Sequence, residues 1–114
     1  NYEAVYFRPF NFLAKEATRR SHMLQYICQP KYTWRELRTT RIDEFENEIK
    51  TPPSPEDWFH VKIEVGEKKV SVYVNDSKTP DLVIERLRDI KTSKIGLWVG
   101  NGSSGKFKGL KISN

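Results

Sequence analysis

The chain has 114 residues, of which 31% are charged, with a net charge of +5 and a mean hydropathy of −0.70. This length predicts one domain, and so many charges leave only a thin core, which favours two sheets packed face to face. No run reaches the roughly 18 apolar residues of a membrane span, and no signal-like stretch opens the chain, so we expect no membrane span.

Two further features bear on organisation. The chain begins in a strand-like pattern without methionine, so we expect it to be a piece of a longer protein. Cys28 is the only cysteine, which excludes an intrachain disulfide and any metal site built from cysteines. The cellular compartment stays open on these grounds.

The first half of the chain predicts strands separated by short helical turns. Aromatic and β-branched residues predict a strand over residues 2–8, and an alternating pattern predicts another over residues 22–29, with either face able to be the buried one. Residues 13–20 lack an apolar stripe and predict a surface loop with at most one or two helical turns. Thr33 and Glu36 match a capping box, which predicts a single helical turn. The acidic residues 43–49 are a candidate edge strand.

Residues 58–75 predict a β-hairpin. Apolar side chains occupy alternate positions from 59 to 65 and again from 70 to 74, and a polar turn containing Gly66 separates the two stretches. Successive side chains of a strand point to opposite faces, so the hairpin has one buried and one wet face. Such a pattern is typical of antiparallel sheets.

The second half completes a count of about seven strands. Residues 81–87 predict a short strand or a turn, and residues 94–100 and 106–112 predict two strands, the last with a bulge near Gly109. Many short strands with little helix predict an all-β sandwich. We expect six side chains to be buried between its sheets, where truncation to alanine costs about 2–4 kcal/mol for the larger ones: Val61, Ile63, Val70, Val72, Ile95 and Leu97.

Three segments resemble a known superfamily. A tryptophan opening an alternating strand, a glycine turn and a strand ending in V-x-V-Y-V-N, here residues 58–75, are similar to laminin G-like and related concanavalin A-like domains. The segments "KIGLWVGNGSSGKFKGLKI" and "YEAVYFRPFNF" resemble the lectin/glucanase sandwiches of bacteria, including relatives of the keto-disaccharide hydrolases. The resemblance covers about two thirds of the chain.

The resemblance implies an antiparallel two-sheet jelly roll and a carbohydrate partner. It favours an extracellular or periplasmic location. Domains of this kind are usually longer, and further strands precede the strand that corresponds to residues 2–8. The jelly roll is therefore expected to be incomplete at its N-terminus. The edge beside residues 106–112 is then either open or paired with another chain, since an unpaired edge promotes aggregation.

Residues 8–41 carry eight Lys or Arg against two Glu, a surplus of +6, with five aromatic residues among them. Such a stretch can stack and hydrogen-bond a sugar, follow a nucleic-acid backbone, or be a solvated loop whose aromatics are core. The acidic residues at 43–48 repel phosphate, so we expect carbohydrate and no nucleic acid. The expected ligand contacts are Arg8, Asn11, Gln25, Tyr26, Trp34 and Arg38.

Catalytic and metal sites are weakly indicated. Glu46 and Glu48 are alternate carboxylates, which could serve a glycoside hydrolase beside Arg38 or could simply make an acidic edge strand. The two histidines belong to no nucleophile motif, and no Asp or Asn spacing matches a calcium loop. We therefore expect no metal and no cofactor. The open alternatives are a carbohydrate-binding or glycan-processing accessory domain, a hydrolase of the keto-disaccharide type, and a laminin G-like interaction module.

Overall fold

The secondary structure consists mainly of two three-stranded antiparallel sheets. The structure, a computed structural model, describes residues 1–89, 94–100 and 102–113. The first sheet has the order β1-β2-β3, with β1 at Tyr2–Phe7, β2 at Leu24–Gln29 and β3 at Glu46–Asn47. The second has the order β4-β5-β6, with β4 at Val61–Val65, β5 at Lys69–Val74 and β6 at Leu82–Glu85. The predicted β-rich architecture is confirmed at this level.

Short helical segments lie in the connections of the first sheet. A 3-10 turn spans Pro9–Asn11, helix α1 spans Ala17–Arg20 and helix α2 spans Trp34–Thr40. Thr33 caps α2, since its Oγ1 accepts the backbone N–H of Glu36 at 3.1 Å. The helix has seven residues rather than the single turn predicted, and Leu37 anchors it in the core. No helix in the described ranges is both long and apolar enough to cross a membrane.

Strand β2 is covered on both faces. Its residues 24–28 are all buried, and because side chains alternate along a strand, five buried neighbours require cover on each side. Strand β6 contacts β2, as does α2. This double cover explains why the alternation in residues 22–29 could not reveal which face is buried.

Strand β4 is only partly covered. Its Ile63 lies directly opposite Val72 of β5, so both side chains share one face of the sheet. Val72 is 0% exposed, whereas Ile63 is 44% exposed and Val65 62% exposed. Contacts between the sheets concentrate on β6, at the far edge from β4. The burial predictions were therefore right for Val70 and Val72 and wrong for Ile63, while Val61 is half-buried.

The predicted strands over residues 94–100 and 106–112 were wrong. Neither segment contains a strand, and Ile95 and Leu97, which were expected in the core, are exposed. Gly109 has a positive φ of 66°, but it lies in no strand pair, so the predicted bulge does not form there. Alternation favours a strand, but a strand also needs a neighbour that satisfies its backbone groups. Among the described residues, neither segment pairs with a strand of either sheet.

The uneven cover of the sheets predicts an uneven response to truncation. We expect Leu24→Ala, at a fully buried position of β2, to lower the free energy of unfolding by about 3 kcal/mol, because it leaves a cavity. We expect Ile63→Ala to lower it by less than about 1 kcal/mol, since solvent already reaches Ile63. Urea unfolding of both variants measures the difference, and equal losses would contradict the uneven cover.

Candidate functional site

A row of polar side chains crosses the first sheet. Tyr6 lies opposite Gln25, and Gln25 lies opposite Glu46, so all three share one face of β1, β2 and β3. Asn47 follows Glu46 in the strand and therefore points to the opposite face. That face is directed toward the second sheet, since Asn47 Nδ2 donates to the backbone oxygen of Asp81 at 2.8 Å. The row therefore lies on the outer face of the first sheet.

Arg8 extends this row just beyond the end of β1. Its Nη2 donates to Gln25 Oε1 at 2.7 Å and to the Tyr6 hydroxyl at 2.9 Å. Its Nη1 donates to the backbone oxygen of His22 at 3.3 Å. The guanidinium also lies 4.9 Å from the Tyr6 ring centroid. Burial lowers the pKa of Arg8 and raises that of Tyr6.

Glu46 lies at the centre of the group and is buried. Arg38 of α2 donates to both of its oxygens, from Nη2 to Oε1 at 2.6 Å and from Nε to Oε2 at 2.9 Å. Arg8 Nη1 donates to Oε1 at 3.5 Å. This paired hydrogen bonding raises the pKa of Arg38. His22 Nδ1 lies 2.9 Å from Oε1 but is not aligned for a hydrogen bond.

Gln25 is held in one orientation and has unused donors. Its Oε1 accepts from Arg8 at 2.7 Å and from the Tyr6 hydroxyl at 3.2 Å, which fixes which end of the amide is oxygen. Its Nε2 is buried and has no hydrogen-bond partner among residues 1–89, 94–100 and 102–113. A buried donor without an acceptor is unfavourable by about 1–3 kcal/mol. Gln25 therefore has donors that a hydrogen-bond acceptor would satisfy.

Two tryptophans flank the polar group. Trp34 lies one turn before Arg38 on α2, and the Arg38 guanidinium is 4.8 Å from its ring centroid. Trp98 meets Tyr6 edge to face, with ring centroids 6.0 Å apart and an interplanar angle of 73°. Trp98 is 67% exposed. We name the set Tyr6, Arg8, His22, Gln25, Arg38 and Glu46 the Glu46 cluster.

Three of the expected ligand contacts come together in the Glu46 cluster, and a fourth adjoins it. Arg8, Gln25 and Arg38 belong to the cluster, and Trp34 contacts Arg38. Sequence reasoning missed Tyr6, His22 and Trp98. Tyr6 could have been found, because it precedes Arg8 by two residues in a strand and so lies on the same face. The contact between Trp98 and Tyr6 left no such signal.

The structure does not bring Asn11 or Tyr26 into the Glu46 cluster. Asn11 is buried, its Nδ2 donating to the His22 backbone oxygen and its Oδ1 accepting from Arg19 Nε, both at 3.2 Å. Tyr26 lies on the opposite face of β2, where its hydroxyl donates to Glu3 Oε1 at 2.5 Å. Burial and this hydrogen bond raise the pKa of Tyr26. Both side chains are engaged within the fold.

The two candidate carboxylates differ. Glu46 faces Arg38 inside the cluster, whereas Glu48 is exposed and lies 3.6 Å from Arg20. The other histidine, His60, is exposed beside Asp76 at 3.4 Å. No group of three His, Cys, Asp or Glu suited to a metal occurs in the described part of the chain.

Two depressions lie elsewhere on the molecule. One, of about 240 Å³, is lined by residues including Lys50 and Asp81, and the other, of about 490 Å³, by residues including Arg86 and Arg88. Asp81 accepts the backbone N–H groups of Lys50 and Val74 at 3.1 Å, so it stabilises the local backbone. The Glu46 cluster lines neither depression.

Comparison with known proteins gives no relative. A scan against models of protein families, a search of curated proteins and a search of solved structures each found no match. The site is therefore interpreted from its own chemistry.

The Glu46 cluster predicts a stability difference between neighbouring glutamates. We expect Glu46→Gln to lower the free energy of unfolding by about 2 kcal/mol, because two partly buried guanidinium groups lose their anion. Glu48→Gln, an identical change at an exposed position, should cost less than about 0.5 kcal/mol. Chemical denaturation at neutral pH measures both, and equal losses would show that Glu46 is not the centre of the cluster.

Proposed function

We propose that this chain is a carbohydrate-binding domain of the concanavalin A-like, jelly-roll type, and that the Glu46 cluster is its glycan site. The observation that carries the proposal is the meeting of Arg8, Gln25 and Arg38 around one buried carboxylate on the outer face of a sheet, beside an exposed tryptophan. The resemblance of residues 58–75 to laminin G-like domains agrees with it.

The groups match those that bind sugars. Aromatic rings cover the C–H faces of a pyranose, and fixed guanidinium and amide groups hydrogen-bond its oxygens. Trp98 and Trp34 supply the rings, and Arg38 is the cluster's most exposed cation, with 29% of its side chain accessible. Because Gln25 and Glu46 are buried, a sugar reaches the cluster through the exposed part of Arg38.

Hydrolysis is the weaker alternative. Retaining and inverting glycoside hydrolases use two carboxyl groups, about 5 Å or about 6.5–9.5 Å apart. Among the described residues the cluster holds one carboxylate, Glu46, and Glu48 pairs with Arg20. Both oxygens of Glu46 accept N–H groups of Arg38, so proton transfer there disrupts the ion pair. A keto-disaccharide hydrolase is therefore less well supported than a binding domain, and a laminin G-like module binding a protein has no separate observation in its favour.

Nucleic acid is also disfavoured. Binding a phosphate backbone requires several free cations along a track and depends steeply on salt. Here the two central guanidinium groups are already engaged with Glu46, and Arg20 lies beside Glu48 and Arg41 beside Glu44. Arg19 also lies beside Glu16, so five of the eight cations in residues 8–41 are already beside carboxylates.

Glycan binding tests the proposal. We expect the protein to bind a subset of an oligosaccharide array, and Arg38→Met to weaken binding to the best ligand at least about tenfold, the effect of losing one charge-assisted hydrogen bond. Arg41→Met is the matched control. Arg41 lies on the same stretch of chain but pairs with the exposed Glu44, so this variant should bind like the parent. Titration calorimetry measures both.

Two results would overturn the proposal. One is the absence of any glycan signal together with tight binding of single-stranded nucleic acid that weakens steeply between low and physiological salt. The other is a glycan signal that Arg38→Met and Trp98→Ala leave unchanged, because the sugar then binds elsewhere.

A further inference from the structure

The Glu46 cluster has an excess of one positive charge. In the part of the chain that the structure describes, Arg8 and Arg38 share one anion, Glu46. The charges on helix α1 and just after β3 do not cancel the excess, since Arg19 lies 3.8 Å from Glu16 and Arg20 lies 3.6 Å from Glu48. Because burial weakens screening by solvent and salt, the excess charge favours an anion from solution.

The unused hydrogen-bonding capacity of the cluster consists mostly of donors. Gln25 Nε2 has no acceptor, and Arg38 Nη1 makes no hydrogen bond to the described residues. The acceptors, in contrast, are largely occupied. Gln25 Oε1 receives two hydrogen bonds, and the Tyr6 hydroxyl donates one and accepts another. Because the unpaired groups of the site are donors, it suits a group that only accepts hydrogen bonds, such as a carboxylate. Hydroxyl groups suit it less well, since they also need acceptors for their own protons.

We propose that the ligand of this site is an acidic glycan, and that the carboxylate of a uronic acid unit is recognised by the Arg38 side of the Glu46 cluster. The inference rests on the proposed function and specifies its substrate class. A carboxylate restores the charge balance that Glu46 leaves incomplete, and its two oxygens match the paired N–H groups of a guanidinium. The ring of the same sugar unit lies against Trp98 or Trp34.

The first experiment compares ligands of equal length. An oligomer of galacturonic acid or glucuronic acid is titrated against the wild-type protein beside its carboxyl-reduced, neutral counterpart. We expect the acidic oligomer to bind at least about tenfold more tightly at physiological salt, with the preference shrinking as salt is raised. A sulfated neutral oligosaccharide is the third ligand, since sulfate is also an acceptor-only anion. Binding of the sulfated sugar more tightly than the uronate would contradict the assignment to a carboxylate.

The decisive variant is Gln25→Glu. It keeps an acceptor for Arg8 and Tyr6, replaces the unpartnered Nε2 with an anionic oxygen and cancels the excess positive charge. Gln25 is fully buried, so the change alters the charge of the site without removing exposed surface. We expect the affinity for the acidic oligomer to fall at least about tenfold further than that for the neutral one, which loses only a hydrogen bond from Gln25. Glu48→Gln is the control for a unit change of charge outside the cluster.

A second variant protects the test against misfolding. If Gln25→Glu fails to fold beside Glu46, Gln25→Met removes the donors without adding charge, and it should weaken the acidic oligomer by about three- to fivefold more than the neutral one, because a hydrogen bond to a charged group is stronger than one to a neutral group. Circular dichroism establishes that each variant is folded.

The outcomes separate the two proposals. If no sugar binds, the proposed function fails and the acidic preference falls with it. If acidic and neutral oligomers bind equally well and Gln25→Glu affects them alike, the carbohydrate site stands and only the acidic preference is overturned.

Discussion

The outer face of the first sheet is organised by the buried carboxylate of Glu46. An ionised carboxylate can be buried only where cations and hydrogen bonds replace the water it loses. Arg38 supplies two of those bonds from α2 and Arg8 supplies one from the end of β1. Helix α2 must therefore lie against the outer face of β2, at a depth that lets Arg38 reach across it. This position of α2 buries Leu37 and places Trp34 beside the cluster.

Stability alone gives little reason to keep such a cluster. Replacing a buried ion pair with well-packed apolar residues is often neutral or stabilising, so a buried pair is weak evidence of a stabilising role. The orphaned amide of Gln25 is itself unfavourable. A face that combines a charged pair, an unused donor and an exposed tryptophan has the composition of a binding surface, in which groups are held in place before the ligand arrives. The same residues that bind each other in the free protein would then present their remaining edges to a sugar.

The sequence predicted what depends on local pattern and failed where distant segments decide. Strand β1 follows from its aromatic and β-branched residues, and β2, β4 and β5 follow from alternation. Arg8, Gln25 and Arg38 follow from the basic and amide residues within the stretch at 8–41. Tyr26 was expected among the ligand contacts but does not join Gln25 there, because adjacent residues of a strand point to opposite faces. Tyr6 joins Gln25 through the register between β1 and β2, which long-range packing sets because a long connection, and not a tight turn, joins the two strands. Ile63 is exposed because the first sheet contacts mainly the opposite edge of the second, which no pattern within β4 records.

The polar and the aromatic residues of the Glu46 site are held in place differently. Its polar half is fixed by strand pairing and by hydrogen bonds that link β1, β2, β3 and α2. Its aromatic half includes Trp98, which lies on a segment without strand pairing and meets the sheet through the Tyr6 ring. A ligand that stacks on Trp98 must restrict a side chain that is largely exposed, which costs about 0.5–1.5 kcal/mol of the interaction. Specificity is thus expected to come mainly from the prearranged polar groups, while the tryptophan adds contact area that tolerates different sugar faces.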